Sequence, residues 1–481
     1  MNYRMMAYIL GNIMQVEGAL MGISALMAVY FAEIGELKAF LLTIALLVVL
    51  GTFMKWKVPK NRRIYGREGF VVVALSWVVM SFFGALPFYF SGAIEGLMNC
   101  WFETVSGFTT TGATILSEVE SLPSSILFWR SFTHWIGGMG ILVFVLAIMP
   151  LADERSMHLM KAEAPGPVVS KLVPKIKSTA KILYGIYIAL TIIEAIFLFA
   201  GGMPLFDSVA HAVSTAGTGG FSVKNSSIAA YDSPYFEYVI TVFMLLFSIN
   251  FNLFYLLLIR DFKAVFKNEE LRYYLIIVGF STLVITANIY HLYPTLESAF
   301  RHSVFQVATV TSTTGFITAN YEYWPELSKT ILIVLTMLGA CGGSTGGGIK
   351  ISRFIILLKL CLREVRHIVH PRAVNIIKLE GQKLNEETIQ GTTGYFITYI
   401  LLLFGSFILV SLDNYDFVTS ITAVITALGN VGPGLSMVGP VENFGFFSGF
   451  AKLVLSLDML FGRLEIFPMI MLFSPSIWRR D

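Results

Sequence analysis

The chain has 481 residues, of which 56% are hydrophobic, 14% aromatic and 14% charged, against roughly 25% charged in soluble domains. Mean hydropathy is +0.72, and runs of about 20 apolar residues recur along the whole length, which excludes a soluble globular domain and points to a polytopic membrane protein. The net charge of +3 names no partner, so the argument rests on where the charges lie.

The apolar runs are continuous rather than alternating, so helices and not a barrel are expected. Residues 5–31 and 36–54 read as an introductory hairpin, and no small-residue cleavage site follows the first run, so it reads as a span rather than a signal peptide. The basic block KWKVPKNRRIYGRE (55–68) follows. From there the chain repeats one pattern four times, over about 66–150, 178–260, 271–361 and 391–476. Each repeat is an apolar span, a half-polar segment, a Thr/Ser-Gly cluster and a second apolar span. The half-polar segments are about 10–15 residues long, too short to span but right for re-entrant half-helices. Each carries an acid or Asn near its start, which suits the positive end of a helix dipole.

Basic residues separate the repeats. They lie in 151–181 (Arg155, Lys161, Lys171, Lys175, Lys177 and Lys181), in RDFKAVFKNEELR (260–272) and from Lys350 to Lys383, and Arg479 and Arg480 end the sequence. The alternate segments are poor in Lys and Arg but hold Glu118, Glu120, Asp207, Asp232, Glu297, Glu322, Glu326, Asp413 and Asp416. The positive-inside rule then puts the basic blocks and both termini in the cytoplasm. The expected units are 1–65, an N-terminal two-helix hairpin, and pore repeats at 66–177, 178–270, 271–390 and 391–481. Together they make ten full spans and four half-helices.

The clusters read GFTTTGATIL (107–116), AVSTAGTGGFS (212–222), ATVTSTTGFIT (308–318) and AVITALGNVGPGL (423–435). Aligned on one glycine, they bring Gly112, Gly217, Gly315 and Gly429 together, preceded by Thr110-Thr111, Thr215-Ala216, Thr313-Thr314 and Ala427-Leu428; Asn430 follows the fourth. Backbone that leaves the helix at membrane depth must line water or an ion path, because lipid cannot satisfy its carbonyls. Four such loops around a pseudo-fourfold axis could replace a cation's hydration shell with backbone oxygens, the logic of a potassium filter.

A second glycine cluster, GACGGSTGGG (339–348), interrupts the second span of the third repeat. It is not a phosphate-binding loop: Ile349 follows Gly348, Lys350 comes one residue late, and no strand precedes it. Glycine costs about 1 kcal/mol per helix position relative to alanine, so the span should unwind here. Gly339, Gly342, Gly343, Ser344, Thr345, Gly346, Gly347, Gly348 and Lys350 are therefore read as a broken-helix gate below the filter. Arg463, inside the last span, is expected to lie opposite this loop and donate to its carbonyls, since an intramembrane arginine must face the interior or a partner. Other polar residues have plainer readings. Arg130, His134 and Trp135 are expected to anchor the interface, His211 to satisfy a packing hydrogen bond, and Asn250 and Asn252 to bond across helices. Cys100, Cys341 and Cys361 read as small buried hydrophobes. No His/Cys/Asp cluster has metal-ligand spacing and no nucleophile elbow occurs, so neither an enzyme nor an organic cofactor is expected.

With the hairpin, the four repeats, the glycine run and FGRLEIFP (461–468), the sequence resembles the Trk/Ktr/HKT superfamily of potassium transporters, most closely its TrkH branch. The resemblance covers nearly the full length. It implies that Gly112, Gly217, Gly315 and Gly429 with their neighbours form the filter, that potassium is the transported ion, and that the 339–350 run obstructs conduction. Sodium-selective members of the HKT type tend to carry serine in place of the first glycine, so Gly112 points to potassium. The alternative is a sodium-permeable, or sodium- or proton-coupled, cation symporter. The resemblance also implies a homodimer in the inner membrane, seated on a cytosolic ring of a TrkA-like NAD- and ATP-binding subunit. Its expected docks are 362–387 and 158–178, where contact with membrane lipid is the plainer reading. No nucleic-acid partner is expected.

Overall fold

A computed structural model describes residues 1–57, 59, 65–140, 176–372 and 375–478. The far end of the first repeat's second leg, most of the 158–178 segment and the two terminal arginines lie outside the described residues.

The described residues are all-α apart from one two-stranded hairpin. Helices α1 (Tyr3–Tyr30) and α2 (Ile34–Lys55) pair first. They cross on two glycines: a Cβ on Gly11 would lie 2.7 Å from the Gly51 carbonyl oxygen, and one on Gly51 2.8 Å from that of Gly11. Small residues let backbones approach where lipid offers no hydrophobic drive. The first repeat holds α3 (Gly66–Ser91), the half-helix α4 (Leu97–Phe108) and α5 (Ser124–Gly138). Glu33, in the α1–α2 turn, accepts the Ser124 and Ser125 amides at 2.6 and 2.9 Å, a carboxylate on the positive end of α5.

The second repeat holds α6 (Ile176–Ala200), the half-helix α7 (Leu205–Gly217), α8 (Pro234–Phe247) and α9 (Phe251–Leu258). After the short α10 (Phe262–Lys267), the third holds α11 (Glu269–Ile289), the half-helix α12 (Leu296–Thr311), α13 (Glu326–Leu338) and α14 (Ile351–Val369). Strands Lys378–Leu379 and Gln382–Lys383 then pair antiparallel. The fourth repeat holds α15 (Glu386–Val410), the half-helix α16 (Phe417–Gly429), α17 (Gly449–Arg463) and α18 (Phe467–Phe473).

Six described helices are long and apolar enough to cross a membrane. Of the ten full spans expected, one with a break already expected at 339–348, the second legs of the second, third and fourth repeats are interrupted. The pair α8/α9 is bent by 93°, α13 stops after 13 residues and α17 after 15. Fifteen residues rise only about 22 Å, short of the ~30 Å hydrocarbon core. The sequence marks this break in the third repeat with glycines and in the fourth, at Leu464–Ile466, with Pro468 in the first turn of the next helix, whereas the second repeat breaks at Ser248–Asn250 without glycine or proline.

The repeats follow one another around a ring. Stacked Phe128, Phe132, Trp135 and Tyr187, with centroids 5.4–5.5 Å apart, join the first to the second. Ile240 and Phe305 share a core between the second and third. The largest core cluster joins α1–α5 to the fourth repeat, through residues such as Phe102, Phe444 and Leu455. Large apolar residues on α6, α11 and α15, such as Ile196, Phe280 and Leu401, remain exposed, the pattern of a lipid-facing surface.

Candidate functional site

The four half-helices end alike. Each closes with a pair of backbone bonds, Thr110 N to Gly107 O and Thr111 N to Ser106 O in the first repeat. The same pair recurs from Thr218 and Gly219 to Thr215 and Ser214, from Thr313 and Thr314 to Val310 and Thr309, and from Asn430 and Val431 to Ala427 and Thr426. Thr110, Thr218, Thr313 and Asn430 all have left-handed φ, between 53° and 60°, as this type of helix end requires. Two residues later stand Gly112, Gly220, Gly315 and Gly432, with φ of 77°, 81°, 86° and 92°.

These glycines close a ring. A Cβ on Gly112 would lie 2.0 Å from the Gly219 oxygen, one on Gly220 2.0 Å from the Thr314 oxygen, and one on Gly315 2.3 Å from the Val431 oxygen. One on Gly432 would lie 2.7 Å from the Thr111 oxygen. Each loop's glycine packs against the carbonyl that precedes the next loop's glycine, in the order first, second, third, fourth, first. Only a residue without Cβ and tolerant of positive φ serves there. All four glycines line one cavity of about 130 Å³, together with Lys224 and Glu442.

The sequence register is therefore corrected in two loops. Gly217 and Gly429 are the last residues of α7 and α16 and stand three positions before the ring. Thr215, Ala216, Ala427 and Leu428 belong to the final helical turns, where Thr215 and Ala427 accept the closing bonds. Thr110, Thr111, Gly112, Thr313, Thr314, Gly315 and Asn430 do come together at the ring. Thr218, Gly219, Gly220, Val431 and Gly432 were missed. Aligning on Thr/Asn-x-Gly, rather than on the first glycine of each cluster, brings them into register.

A matching brace stands behind three of the loops. Seven residues before each left-handed position lie Glu103, His211, Gln306 and Ala423. Glu103 accepts from Thr114 Oγ1 at 2.9 Å, Ile115 N at 3.0 Å and Arg130 Nε at 2.6 Å. Arg130 also donates to Ser222 O of the second loop at 3.1 Å and lies over the Phe221 ring. His211 bonds Ser222 Oγ at 2.9 Å and Asp207 O at 2.8 Å, the packing role expected of it. Gln306 donates to Ala319 O at 3.4 Å. The expectation that Arg130 and His134 anchor an interface is overturned: both are buried, and a Cβ on Gly219 would lie 1.6 Å from His134 Nδ1. Cys100 and Cys341 are buried as expected, but Cys361 is exposed.

The run 339–350 leaves the helix, as its glycines require, and touches the second, third and fourth repeats, with Arg463 linking it to the first. Gly347 N donates to Thr313 Oγ1 at 2.8 Å, and a Cβ on Gly347 would lie 2.9 Å from Gly429 O. Cys341 N and Thr345 N donate to Ser248 O and Phe247 O, and Gly343 packs on Asn250, whose side chain caps α9 through Asn252 N. Lys350 is buried, holds φ at 79° and donates to Gly346 O. Arg463 Nη1 donates to Thr345 O at 2.6 Å. Its Nη2 donates to Gly137 O and Gly138 O of α5 at 2.5 and 2.7 Å. The arginine thus bonds the loop carbonyl, as its isolation in an apolar span predicts. The other acids of its stretch have other partners, Asp458 taking Ser406 Oγ at 2.6 Å and Glu465 pairing with Arg353.

The comparisons with known proteins agree with this architecture. The family model for TrkH, described as a cation transport protein, matches residues 36–480. The TrkH potassium uptake protein of Salmonella typhimurium is 36% identical over the full length of both chains. That of Halomonas elongata is 35% identical, again over both full lengths. The TrkG protein of Escherichia coli is 33% identical over 86% of each. The crystal structure of the potassium transporter TrkH from Vibrio parahaemolyticus superposes with a TM-score of 0.89 at 32% identity, covering both chains completely. This chain belongs to the TrkH family of cation transport proteins and is a membrane transport protein rather than an enzyme.

Proposed function

We propose that the chain takes up potassium across the inner (cytoplasmic) membrane through the centre of the four-loop ring. The observation that carries this reading is the ring itself: four left-handed glycines, each backed on the next loop's carbonyl, at the floor of one cavity. Carbonyl oxygens of Thr111, Gly219, Thr314 and Val431 would replace the ion's water, with Gly112, Gly220, Gly315 and Gly432 permitting the close approach. Relatives named as potassium uptake proteins support potassium as the substrate.

In this reading the cavity opens to the outside and the basic segments, with both termini, face the cytoplasm. The 339–350 loop is the gate, with Gly339, Gly342, Gly343, Ser344, Thr345, Gly346, Gly347, Gly348, Lys350 and Arg463 as its parts. Its contacts with three repeats, and with the first through Arg463, support a blocking role. Pore repeats at 66–177, 178–270, 271–390 and 391–481 after the 1–65 hairpin are the functional units. The protein works as a homodimer under a cytosolic, TrkA-like nucleotide-binding subunit docked on 362–387 and 158–178. Growth rescue of a potassium-uptake-deficient strain at low potassium, with rubidium and sodium flux measured in liposomes, tests the assignment. Equal sodium and rubidium flux would turn it toward a sodium-permeable symporter.

A further inference from the structure

Glu270 is buried in the first turn of α11, and the pore-lining elements give it no role. Its Oε1 accepts two backbone amides, Gly342 N at 2.8 Å and Ser352 N at 3.0 Å. Gly342 stands near the start of the glycine loop and Ser352 in the first turn of α14, so one carboxylate oxygen clasps both ends of the broken segment. The same carboxylate sits at the positive end of α14, where a negative group is favoured. Bonds from an ionised acceptor are about twice as strong as neutral ones.

The backbone of Glu270 is held in turn from the basic face. Glu380 Oε1 accepts Asn268 Nδ2 at 2.9 Å, Glu269 N at 3.0 Å and Glu270 N at 3.2 Å. Glu380 occupies the tip of the two-stranded hairpin, where it and Gly381 have φ of 53° and 75°. Asn or Asp usually takes the first of these two positions. Glu380 is exposed apart from these bonds. Lys359, on α14, closes the assembly by pairing with Glu269 and donating to Lys378 O at 2.8 Å. The hairpin, the start of α11 and both ends of the glycine loop are thus joined in two hydrogen-bonded steps.

We propose that Glu270 is the positioning residue that latches the glycine loop beneath the ring, and that the hairpin around Glu380 is the handle through which a partner on the basic face releases it. This rests on the gate reading of 339–350. Moving the hairpin withdraws the cap from the α11 start and displaces Glu270 from Gly342 and Ser352. The loop then keeps only its bonds to the pore wall.

The test is rubidium uptake into liposomes holding the purified full chain. Glu270→Gln keeps the size of the side chain but loses its charge, and is expected to raise uptake about tenfold, the shift that follows from weakening a charge-assisted bond. Glu380→Ala is exposed and leaves the fold intact; it is expected to raise uptake about threefold, because it removes the hold on the α11 start while Glu270 remains. Glu326→Gln, an exposed carboxylate elsewhere, is the unchanged control. Deletion of 342–347 raises uptake on its own, and adding Glu270→Gln to it gives no further rise. Wild-type uptake in Glu270→Gln, with the deletion still raising it, overturns the latch and leaves the gate standing. Wild-type uptake in Glu380→Ala overturns the handle. An unchanged deletion variant overturns the gate reading and the latch with it.

Discussion

Two glycine-rich regions lie one above the other in this protein, and they use glycine for opposite ends. In the ring, each glycine is fixed by left-handed φ and by a neighbouring carbonyl that fills the place of its Cβ. The contact is backbone on backbone and recurs in four copies, so no loop can move without displacing the next. The 339–350 run exists once. Beside two backbone bonds to Ser248 and Phe247, it is held by side chains reaching in from other elements: Thr313, Arg463 and Glu270. Bonds of that kind exchange one partner for another at small net cost. The difference teaches that glycine content alone says nothing about rigidity; what occupies the space around the glycine decides it.

That contrast can be broken or sharpened by substitution, beginning with the ring. Gly220→Ala adds about 1–2 kcal/mol of left-handed strain to an overlap with the Thr314 carbonyl, so rubidium uptake is expected to fall about a hundredfold or more. Retained uptake would remove the ring from the conduction path. At the glycine run the sign reverses: deletion of 342–347 is expected to raise flux about tenfold, the change for a blocked state losing its obstruction. A fall in flux, with the protein still folded, would make the run a structural element of the pore instead. Arg463→Ala removes charge-assisted bonds to Thr345, Gly137 and Gly138 but leaves the other supports, so a rise of about threefold is expected.

The smallest effect tests the register. Gly429 has a helical φ, and a Cβ there would lie 3.0 Å from Thr336 O, whereas Gly432 has left-handed φ at the ring. Gly429→Ala is expected to change the rubidium-to-sodium flux ratio by less than about twofold, because alanine suits a helix end that glycine only weakens. Gly432→Ala should change it far more. Equal effects would restore the sequence alignment on Gly429.

The starts of the half-helices add an electrostatic detail. Asp416 caps α16 through Thr419, whose hydroxyl and amide bonds hold the carboxyl below the usual carboxylate range. It therefore keeps its negative charge at the positive end of the half-helix, as the acid near the start of that segment suggested. Asp207 and Glu297 lie inside the first turns of α7 and α12, whereas α4 begins without an acid. Asn99 stands in the first turn of α4, so the expected acid or Asn near the start is present in all four half-helices.

Much of the rest was legible for the same reason: it depends on local chemistry. Apolar runs of span length, basic blocks between them and the glycine run at 339–348 each act through the residues beside them in sequence, and the helical hairpin, the repeat and the broken helix follow. Arg463 was legible too, because a charge in an apolar helix has few places to go. The ring register was not. Gly217 and Gly220 lie three residues apart, and both would serve as the cluster glycine; only the closing bonds of α7 decide which one passes beyond the helix. The breaks at Ser248–Asn250 and Leu464–Ile466 were missed although Asn250 caps α9 and Pro468 opens α18, because a single cap or proline is a weaker signal than a run of glycines.

The four half-helices and the five places where backbone must leave the helix, four Thr/Ser-Gly clusters and the glycine run, follow from the sequence alone, since span length and glycine's conformational cost are properties of consecutive residues. What only the tertiary structure decided was which glycine of each cluster meets its neighbour, that Arg130 pairs with Glu103 behind the ring, and that Glu270 clasps the glycine loop. Contacts of this kind join residues 319 positions apart, as Asn430 and Thr111 do at 3.0 Å. Only a closed ring of repeats brings such residues within hydrogen-bond reach.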